Sequence, residues 1–439
     1  MGLFLRIWIG QFFALVGTGT SAFSLNLWIL QETGSIARFT LAFFFTSLPC
    51  MLLSPLSGVC VDRRDRRTIM LACDTCSVVI TSALLMLELG GELAIWHVYL
   101  AMILQSAVAS LRWPAYQALT ATVAPTEQLQ RAVGMGQLAE ACNYIFSPAL
   151  AGALLPLLGL SGVLTIDACL SFVALATLIS ARSATSAPAP SGQSLLADIR
   201  YAFSYLHARP GLKRLLGYFA GMNFGAGFAI VLATPLLLSF TTQRVMGQVL
   251  SISATGMLAG SIVMIALKRN QSPVRVILCF SLISGVAIGM SGLRPDPVWF
   301  AAAGFLFFFS IAAVNAGSQA LWLLCVEPAV QGRVFAARRA LAMLTQPLAY
   351  LLAGPLAEAA EAAMHPNGSL AELFGGLLGV GQGRGIALIF VCIGVYIALL
   401  TQVFLRNRSL QSLEPLLVSR RNDAQAFAHI TPEPESPLE

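Results

Sequence analysis

The feature that most constrains this chain is a series of about twelve apolar segments, each long enough to cross a lipid bilayer. A spanning helix needs ~20 mostly apolar residues. Inside lipid a segment must satisfy its own backbone hydrogen bonds, so such segments predict helices, whereas barrel strands would alternate apolar and polar residues over ~10 positions. The sequence therefore predicts an all-α integral membrane protein. The expected spans are 5–30, 39–61, 68–89, 95–120, 131–157, 160–181, 213–239, 247–268, 274–293, 298–325, 334–357 and 384–405.

The basic residues indicate how these spans are oriented. If the N-terminus is inside, the inner segments hold most of the Lys and Arg, and the outer loops hold only Arg38, Arg244, Arg294 and Arg384. Lys and Arg collect on the cytoplasmic side of membrane proteins, so we expect both termini in the cytoplasm. The first apolar run exceeds the 7–15 residues of a signal-peptide core, so we expect the first helix to be retained.

The net charge of +6 has the same explanation. The basic residues are spread over many short loops on one side of the membrane, which favours contact with membrane lipids rather than with nucleic acid. Nucleic acid is therefore not an expected partner.

A polar segment divides the chain into two halves of six spans each. The stretch SATSAPAPSGQ, residues 183–193, has the composition of a linker. Apolar residues at helical spacing after it predict a short amphipathic helix on the inner membrane surface. A weak echo between Val123–Arg131 and Val326–Arg333 supports two pseudo-symmetric bundles. We therefore predict an N-terminal bundle (1–181), a cytoplasmic linker with the amphipathic helix (182–212), a C-terminal bundle (213–406) and a disordered tail (407–439).

The residues give no indication of a metal, a cofactor or an enzymatic reaction. The nine cysteines are scattered, and Cys73-x-x-Cys76 has no second pair with which to complete a zinc site. The Walker A pattern of an ATP-binding loop does not occur in the sequence. We expect no cofactor, no metal and no enzyme.

A few ionisable and amide side chains lie inside spans, where they are costly and often functional. Arg112 and Glu140 have similar expected depths of ~13 Å on consecutive helices, which makes an ion pair between them reasonable. The pair would either hold the helices together or couple transport, with Glu140 taking up a proton and releasing Arg112 to a substrate. Asp167 is a second proton-coupling candidate, and a structural hydrogen bond is its alternative. The amide candidates for a substrate cavity are Asn26, Asn143, Asn223 and Asn315.

The most specific motif lies between the second and third spans. It reads Gly58-x-x-x-Asp62-Arg63-x-x-Arg66-Arg67 and resembles a loop of the major facilitator superfamily, with Asp65 where that family has a second glycine. Shorter motifs with the expected order and spacing extend the resemblance from the first span to the last. They are Thr33-Gly34-Ser35, PAYQALTATVAPTEQLQRA at 114–132, Gly332-Arg333-Val334, AGPLAE at 353–358 and GQGRGIALIF at 381–390.

The resemblance implies twelve transmembrane helices in two pseudo-symmetric six-helix bundles that move by alternating access. It also implies a cytoplasmic latch between the halves, formed by Gly58, Asp62, Arg63, Arg66 and Arg67. Asp74 is expected to extend that latch. The alternative is that these charges only orient the chain in the membrane. The variant DRRDRR is similar to the macrolide-efflux and siderophore-exporter branch, but the fifth-span antiporter pattern is only partly kept at Ser147-Pro148.

We therefore expect a proton-coupled secondary transporter of the bacterial inner membrane, present as a monomer. It would export a small amphiphilic molecule such as a drug, a macrolide-like compound, a siderophore or a secondary metabolite. One alternative is a lipid or lysophospholipid flippase without classical proton coupling. The other is a membrane sensor that binds a ligand or partner without transport.

Overall fold

The computed structural model describes residues 2–125, 128–180, 195–266, 272–327 and 330–406, which are almost entirely helical. Residues 182–194 of the predicted linker (182–212) and the predicted tail from 407 lie outside the described residues. The helices are α1 Gly2–Thr33, α2 Ile36–Arg63, α3 Arg66–Leu89, α4 Ile95–Val123, α5 Leu129–Ser180, α6 Leu195–His207, α7 Pro210–Leu238, α8 Gln243–Ala266, α9 Pro273–Leu293, α10 Pro297–Cys325, α11 Gln331–Met343, α12 Thr345–Ala363, α13 Ala371–Leu378 and α14 Arg384–Leu405.

Ten helical stretches within these ranges are long and apolar enough to cross a membrane. One of them, α5, has 52 residues and contains two of the predicted spans. Helix α4, with 29 residues, is also long enough to span and packs against α2 and α3. Within the described residues, the twelve predicted spans therefore correspond to helices, and the predicted all-α membrane fold is confirmed.

Helix α5 is a hairpin whose two halves are joined at Gly159. This glycine has φ 67° and ψ 179°, a backbone conformation that side chains with a Cβ rarely adopt. The first half runs parallel to α1, since Trp8 donates to the carbonyl oxygen of Met135 and Ser147 to that of Val16. The second half runs antiparallel to α1, because Gly10 lies against Thr177 and Gly17 against Asp167.

The eleventh predicted span is interrupted, which the sequence did not predict. It is divided between α11 and α12, which meet at Leu344, where φ is −58°, ψ is −28° and the amide still donates to the carbonyl oxygen of Ala340. The turn at Leu344 is held by α7, from which Asn223 Nδ2 donates to the carbonyl oxygen of Ala342 at 2.9 Å. In return, the Thr345 hydroxyl donates to the carbonyl oxygen of Ala220 at 2.7 Å. Such partners are needed because carbonyl groups released by a break in a membrane helix cannot turn to water.

The two halves of the chain meet at one end of the bundle. We call the end where α1 begins and α14 ends the terminal face, and the other end the opposite face. Near the opposite face, Gly152 of α5 lies against Gly247 of α8, and Gly354 of α12 lies against Ala37 of α2. Small residues allow such close helix crossings in membranes. These contacts close the opposite face in this conformation.

The loop between α2 and α3 is capped locally. Asp65 is the N-cap of α3 and accepts hydrogen bonds from the amide and the hydroxyl of Thr68. Burial alone would raise the pKa of Asp65, but these hydrogen bonds and the charge of Arg67 outweigh it and hold the pKa below its usual value. An aspartate at this position therefore has a clear role, namely to begin α3.

Candidate functional site

The candidate site is a cavity of about 380 Å³ inside the N-terminal half. Helices α1, α2, α4 and the first half of α5 form its walls, largely with apolar and aromatic side chains. Charged and amide groups are few and come from different helices. The lining residues are Trp8, Gln11, Phe12, Leu15, Thr18, Gly19, Ala22, Thr46, Cys50, Gln105, Ser106, Val108, Ala109, Arg112, Trp113, Tyr116, Gly136, Ala139, Glu140 and Asn143.

Arg112 does reach this cavity, but its partner differs from the predicted one. Its Nη2 lies 2.6 Å from Oδ1 of Asp74, and the Asp74 side chain is fully buried on α3. The other carboxylate oxygen of Asp74 accepts a hydrogen bond of 2.7 Å from Gln11. The expected Arg112–Glu140 pair is therefore wrong. Asp74 neutralises the arginine inside the N-terminal half instead of extending a latch between the halves.

Glu140 lines the same cavity and is half-buried on the first half of α5. Both ion pairs found in the described part of the chain, Arg112–Asp74 and Arg209–Glu327, leave it out. The cation whose charge acts on it is Arg339 of α11, which belongs to the C-terminal half. A carboxylate of one half thus faces an arginine of the other.

Asp167 lies directly behind the cavity wall. The residue is 2% exposed, and its carboxylate accepts hydrogen bonds from hydroxyls on three helical segments. Thr18 of α1 donates to Oδ1 at 3.0 Å, Thr81 of α3 to Oδ2 at 3.2 Å and Ser171 to Oδ1 at 3.3 Å. Because Thr18 also lines the cavity, only one side chain separates Asp167 from it.

The four candidate asparagines have different surroundings. Asn143 lines the cavity and accepts a hydrogen bond of 2.6 Å from Ser147. Asn26 is buried and donates to the carbonyl oxygen of Ala22, and Asn223 supports the break between α11 and α12. Asn315 is exposed on α10. Only Asn143 of these four is a lining residue of the cavity.

A second cavity, of about 230 Å³, lies between the two halves and is almost entirely apolar. Phe23 and Phe43 of the N-terminal half face Phe307 and Phe308 of α10 across it. Each aromatic run, 43–45 and 307–309, thus places only some of its side chains at the cavity, because consecutive residues of a helix point in different directions.

The latch residues are only partly described. Gly58, Asp62 and Arg63 belong to α2 by their backbone, but their surroundings lie outside the described part of the structure. Arg67 donates to the carbonyl oxygens of Leu178 and Ile179, at 3.2 Å and 2.9 Å from its Nη2. These bonds stay within the N-terminal half, since both carbonyls belong to the end of α5.

Sequence reasoning missed the importance of Asp74, Gln11 and the aromatic wall formed by Trp8, Trp113 and Tyr116. Asp74 had a usable signal, since its depth from the terminal face is close to that of Arg112. The depth of a residue does not give the helix face on which it lies, so depth alone allowed either acid as the partner.

Among the described residues, no group of three or more His, Cys, Asp or Glu side chains is arranged to hold a metal ion. The cavity therefore offers a carboxylate, a neutralised ion pair, amides and aromatic rings. This set of groups can bind an amphiphilic molecule and can exchange a proton.

The sequence profile of the Major Facilitator Superfamily matches residues 7–350. Macrolide efflux protein A of Streptococcus pyogenes is 25% identical over 375 residues, which cover 81% of this chain and 89% of that protein. The enterobactin exporter EntS of Citrobacter koseri is 26% identical over 337 residues, or 75% of this chain and 79% of that protein.

Solved structures show the same fold. A bacterial homologue of the human lysosomal transporter Spinster, in an inward-facing and unoccupied conformation, has a TM-score of 0.69 and 17% identity, covering 94% of this chain and 97% of that one. The nucleoside transporter NupG has a TM-score of 0.68 and 16% identity, with coverage of 91% and 99%.

Proposed function

The chain belongs to the major facilitator superfamily, and from that premise we propose that it is a proton-coupled exporter of small amphiphilic molecules. The observation that carries the proposal is which charged side chains of the cavity are in ion pairs and which are not. Arg112 is neutralised by buried Asp74, whereas Glu140 lines the cavity outside the ion pairs of the described residues. Glu140 is therefore the group available to exchange a proton when a substrate enters or leaves.

The basic residues assign the two faces of the bundle to the two sides of the membrane. Basic residues lie mostly in segments on the terminal face, so that face is assigned to the cytoplasm. Closure at the opposite face then leaves the cavity accessible from the cytoplasm. In a bacterial cell this corresponds to the inner membrane, with both termini inside.

In the proposed cycle, Glu140 loses its proton to the cytoplasm while the cavity is open on that side. The carboxylate then binds the substrate, while the positive charge of Arg339 on α11 also acts on it. After the halves rock to the other state, a proton from outside neutralises Glu140 and weakens its hold on the substrate. Export is thus driven by proton entry, and Asp167, enclosed by hydroxyls, is the less suitable proton site.

The walls of the cavity favour an amphiphilic substrate. Trp8, Phe12, Trp113 and Tyr116 supply aromatic surface, and Asn143 and Gln105 supply amide groups. A mostly apolar pocket with a few polar groups is typical of small-molecule sites. The relatives named as a macrolide efflux protein and an enterobactin exporter support the same class of substrate and the same direction.

The test compares small molecules inside and outside cells with and without this gene, by mass spectrometry, together with the accumulation of a radiolabelled macrolide. We expect a compound that is retained without the gene and exported with it, and we expect an uncoupler to abolish export. A compound left unconsumed in the medium would reverse the direction to import.

Two other results would contradict the proposal in different ways. Changes confined to membrane lipids, insensitive to uncouplers and to Glu140→Gln, would favour the flippase alternative. A phenotype that is lost when residues 407–439 are deleted, with no change in any transported molecule, would favour the sensor alternative.

A further inference from the structure

We propose that the hydroxyl-lined pocket around Asp167 is a binding site for one sodium ion. The pocket lies between α1, α3 and the second half of α5, near the middle of the N-terminal half. It is separate from Glu140, so the proposal does not depend on the proposed proton coupling.

The ligand set is made only of oxygen atoms. Hydroxyls of Thr18, Ser21, Thr81 and Ser171 surround the two carboxylate oxygens of Asp167. Three of them lie 3.0–3.3 Å from a carboxylate oxygen. A hydroxyl can rotate to present a lone pair instead of its hydrogen, and carboxylates with neutral oxygens are the ligands that hard cations prefer.

A second observation points to a missing partner. Ser21 Oγ is next to the carboxylate, yet it makes no hydrogen bond of acceptable geometry, although the residue is only 3% exposed. A buried hydroxyl without a partner loses the hydrogen bonds that water would give it. A cation bound beside Asp167 would provide the ligand that Ser21 lacks.

The charge of the pocket suits a monovalent ion. Neither ion pair of the described chain involves Asp167, and a buried carboxylate that stays ionised needs a compensating positive charge. One carboxylate balances one unit of charge. A divalent ion would leave an excess positive charge in the interior of the bundle.

The pocket adjoins the main cavity on one side and packs closely against α1 on the other. Thr18 belongs to both the pocket and the main cavity, so its side chain is the barrier that an ion must pass. On the α1 side the pocket is closed by Gly17, where an added Cβ would lie 3.3 Å from Asp167 Oδ1 and 3.1 Å from Leu170 Cδ1. This close approach holds the α1 hydroxyls near the carboxylate.

The test measures binding of radioactive 22Na+ to the purified full-length protein in detergent, with choline chloride keeping the ionic strength constant. We expect saturable binding of about one ion per chain that unlabelled NaCl displaces more effectively than KCl. We expect Asp167→Asn to abolish it and Thr81→Val or Ser171→Ala to weaken it, about tenfold for the loss of one ligand. Thr20→Val is the matched control, since Thr20 is a buried α1 hydroxyl that bonds the Val16 carbonyl oxygen instead.

The absence of saturable binding by the wild-type protein would overturn the proposal, as would wild-type affinity for 22Na+ in both hydroxyl variants. These variants keep the test decisive if Asp167→Asn fails to fold. Glu140→Gln separates this proposal from the proposed function: it is expected to abolish proton-driven export and to leave 22Na+ binding intact.

Discussion

Arg112 on α4 and Asp74 on α3 form a buried ion pair, with 2.6 Å between Nη2 and Oδ1, beside the cavity of the N-terminal half. Asp74 has no exposed side-chain surface, whereas Arg112 keeps 17% of its own and lines the cavity. The pair therefore places an arginine at the cavity while cancelling its charge. Gln11 on α1 completes the contact, so three helices meet at one carboxylate.

Removing only the acid is expected to destabilise the protein strongly. Asp74→Asn leaves Arg112 charged in an apolar environment, and breaking one side of a buried pair costs about 3–5 kcal/mol. Thermal unfolding in detergent should show a clearly lower Tm for this variant. The double variant Asp74→Asn with Arg112→Gln should recover part of the loss, and Glu140→Gln should change Tm little. Equal Tm values for Asp74→Asn and wild type would show that the pair is not needed for stability.

The sequence predicts the helices well because span length and apolar character are read directly from the residues. It does not predict which buried charges pair, since a single sequence gives the depth of Arg112, Asp74 and Glu140 but not their helix faces. The turn at Leu344 is also missed, although Pro347 marks it, since a proline has no amide hydrogen to donate to the carbonyl oxygen of Met343. Its support comes from Asn223 and Thr345, which are distant in sequence.

Glu140→Gln is expected to uncouple transport without unfolding the protein. The amide keeps the shape of the side chain but can no longer exchange a proton. Export driven by an imposed pH gradient in vesicles should fall to background, while Tm stays close to that of wild type. Asn143→Ala, a change in the same cavity that removes no ionisable group, should weaken substrate binding and retain the response to the gradient. Gradient-driven export by Glu140→Gln would exclude this residue as the coupling site.

Glu358 of α12 connects the two halves at the opposite face. Its Oε1 accepts a hydrogen bond of 2.7 Å from the Ser35 hydroxyl and one of 3.0 Å from the Ala37 amide, and so caps the start of α2. Glu358→Ala should speed hydrogen exchange at the first amides of α2 about two- to fivefold. An exposed cap stabilises the start of a helix by about 0.5–1 kcal/mol, which corresponds to this change in rate.

Glu361 gives the matched control, because it lies one turn further along α12 and caps α14 within the C-terminal half. Glu361→Ala should speed exchange at the Gly383 and Ile386 amides and leave the start of α2 unchanged. Faster exchange at α2 in both variants would show a general loosening instead of a contact between the halves.

The crossing of Gly152 and Gly247 is expected to be necessary for closing the opposite face. A Cβ at Gly152 would lie 2.6 Å from the Gln243 carbonyl oxygen and 3.2 Å from Gly247 Cα. Gly152→Val should therefore separate α5 from α8, favour a state open at the opposite face and reduce transport severalfold. Gly134→Val is the control on the same helix, since an added Cβ there meets open space. Equal transport by the two variants would contradict this role.

Asn223 should act as a support for the break between α11 and α12. Asn223→Ala removes the shorter of the two side-chain hydrogen bonds to the Ala342 carbonyl and leaves the one of 3.4 Å from Thr345, which should cost about 1 kcal/mol. We expect a lower Tm, and faster hydrogen exchange in residues 340–346 than elsewhere in α11 and α12. Asn315→Ala, at an exposed position on α10, should change neither quantity. Because Arg339 lies six residues before Thr345, a loosened turn should also disturb the position of its charge relative to Glu140. Asn223→Ala should thus lower the apparent affinity for substrate, whereas unchanged affinity with a reduced Tm would restrict Asn223 to a purely structural role.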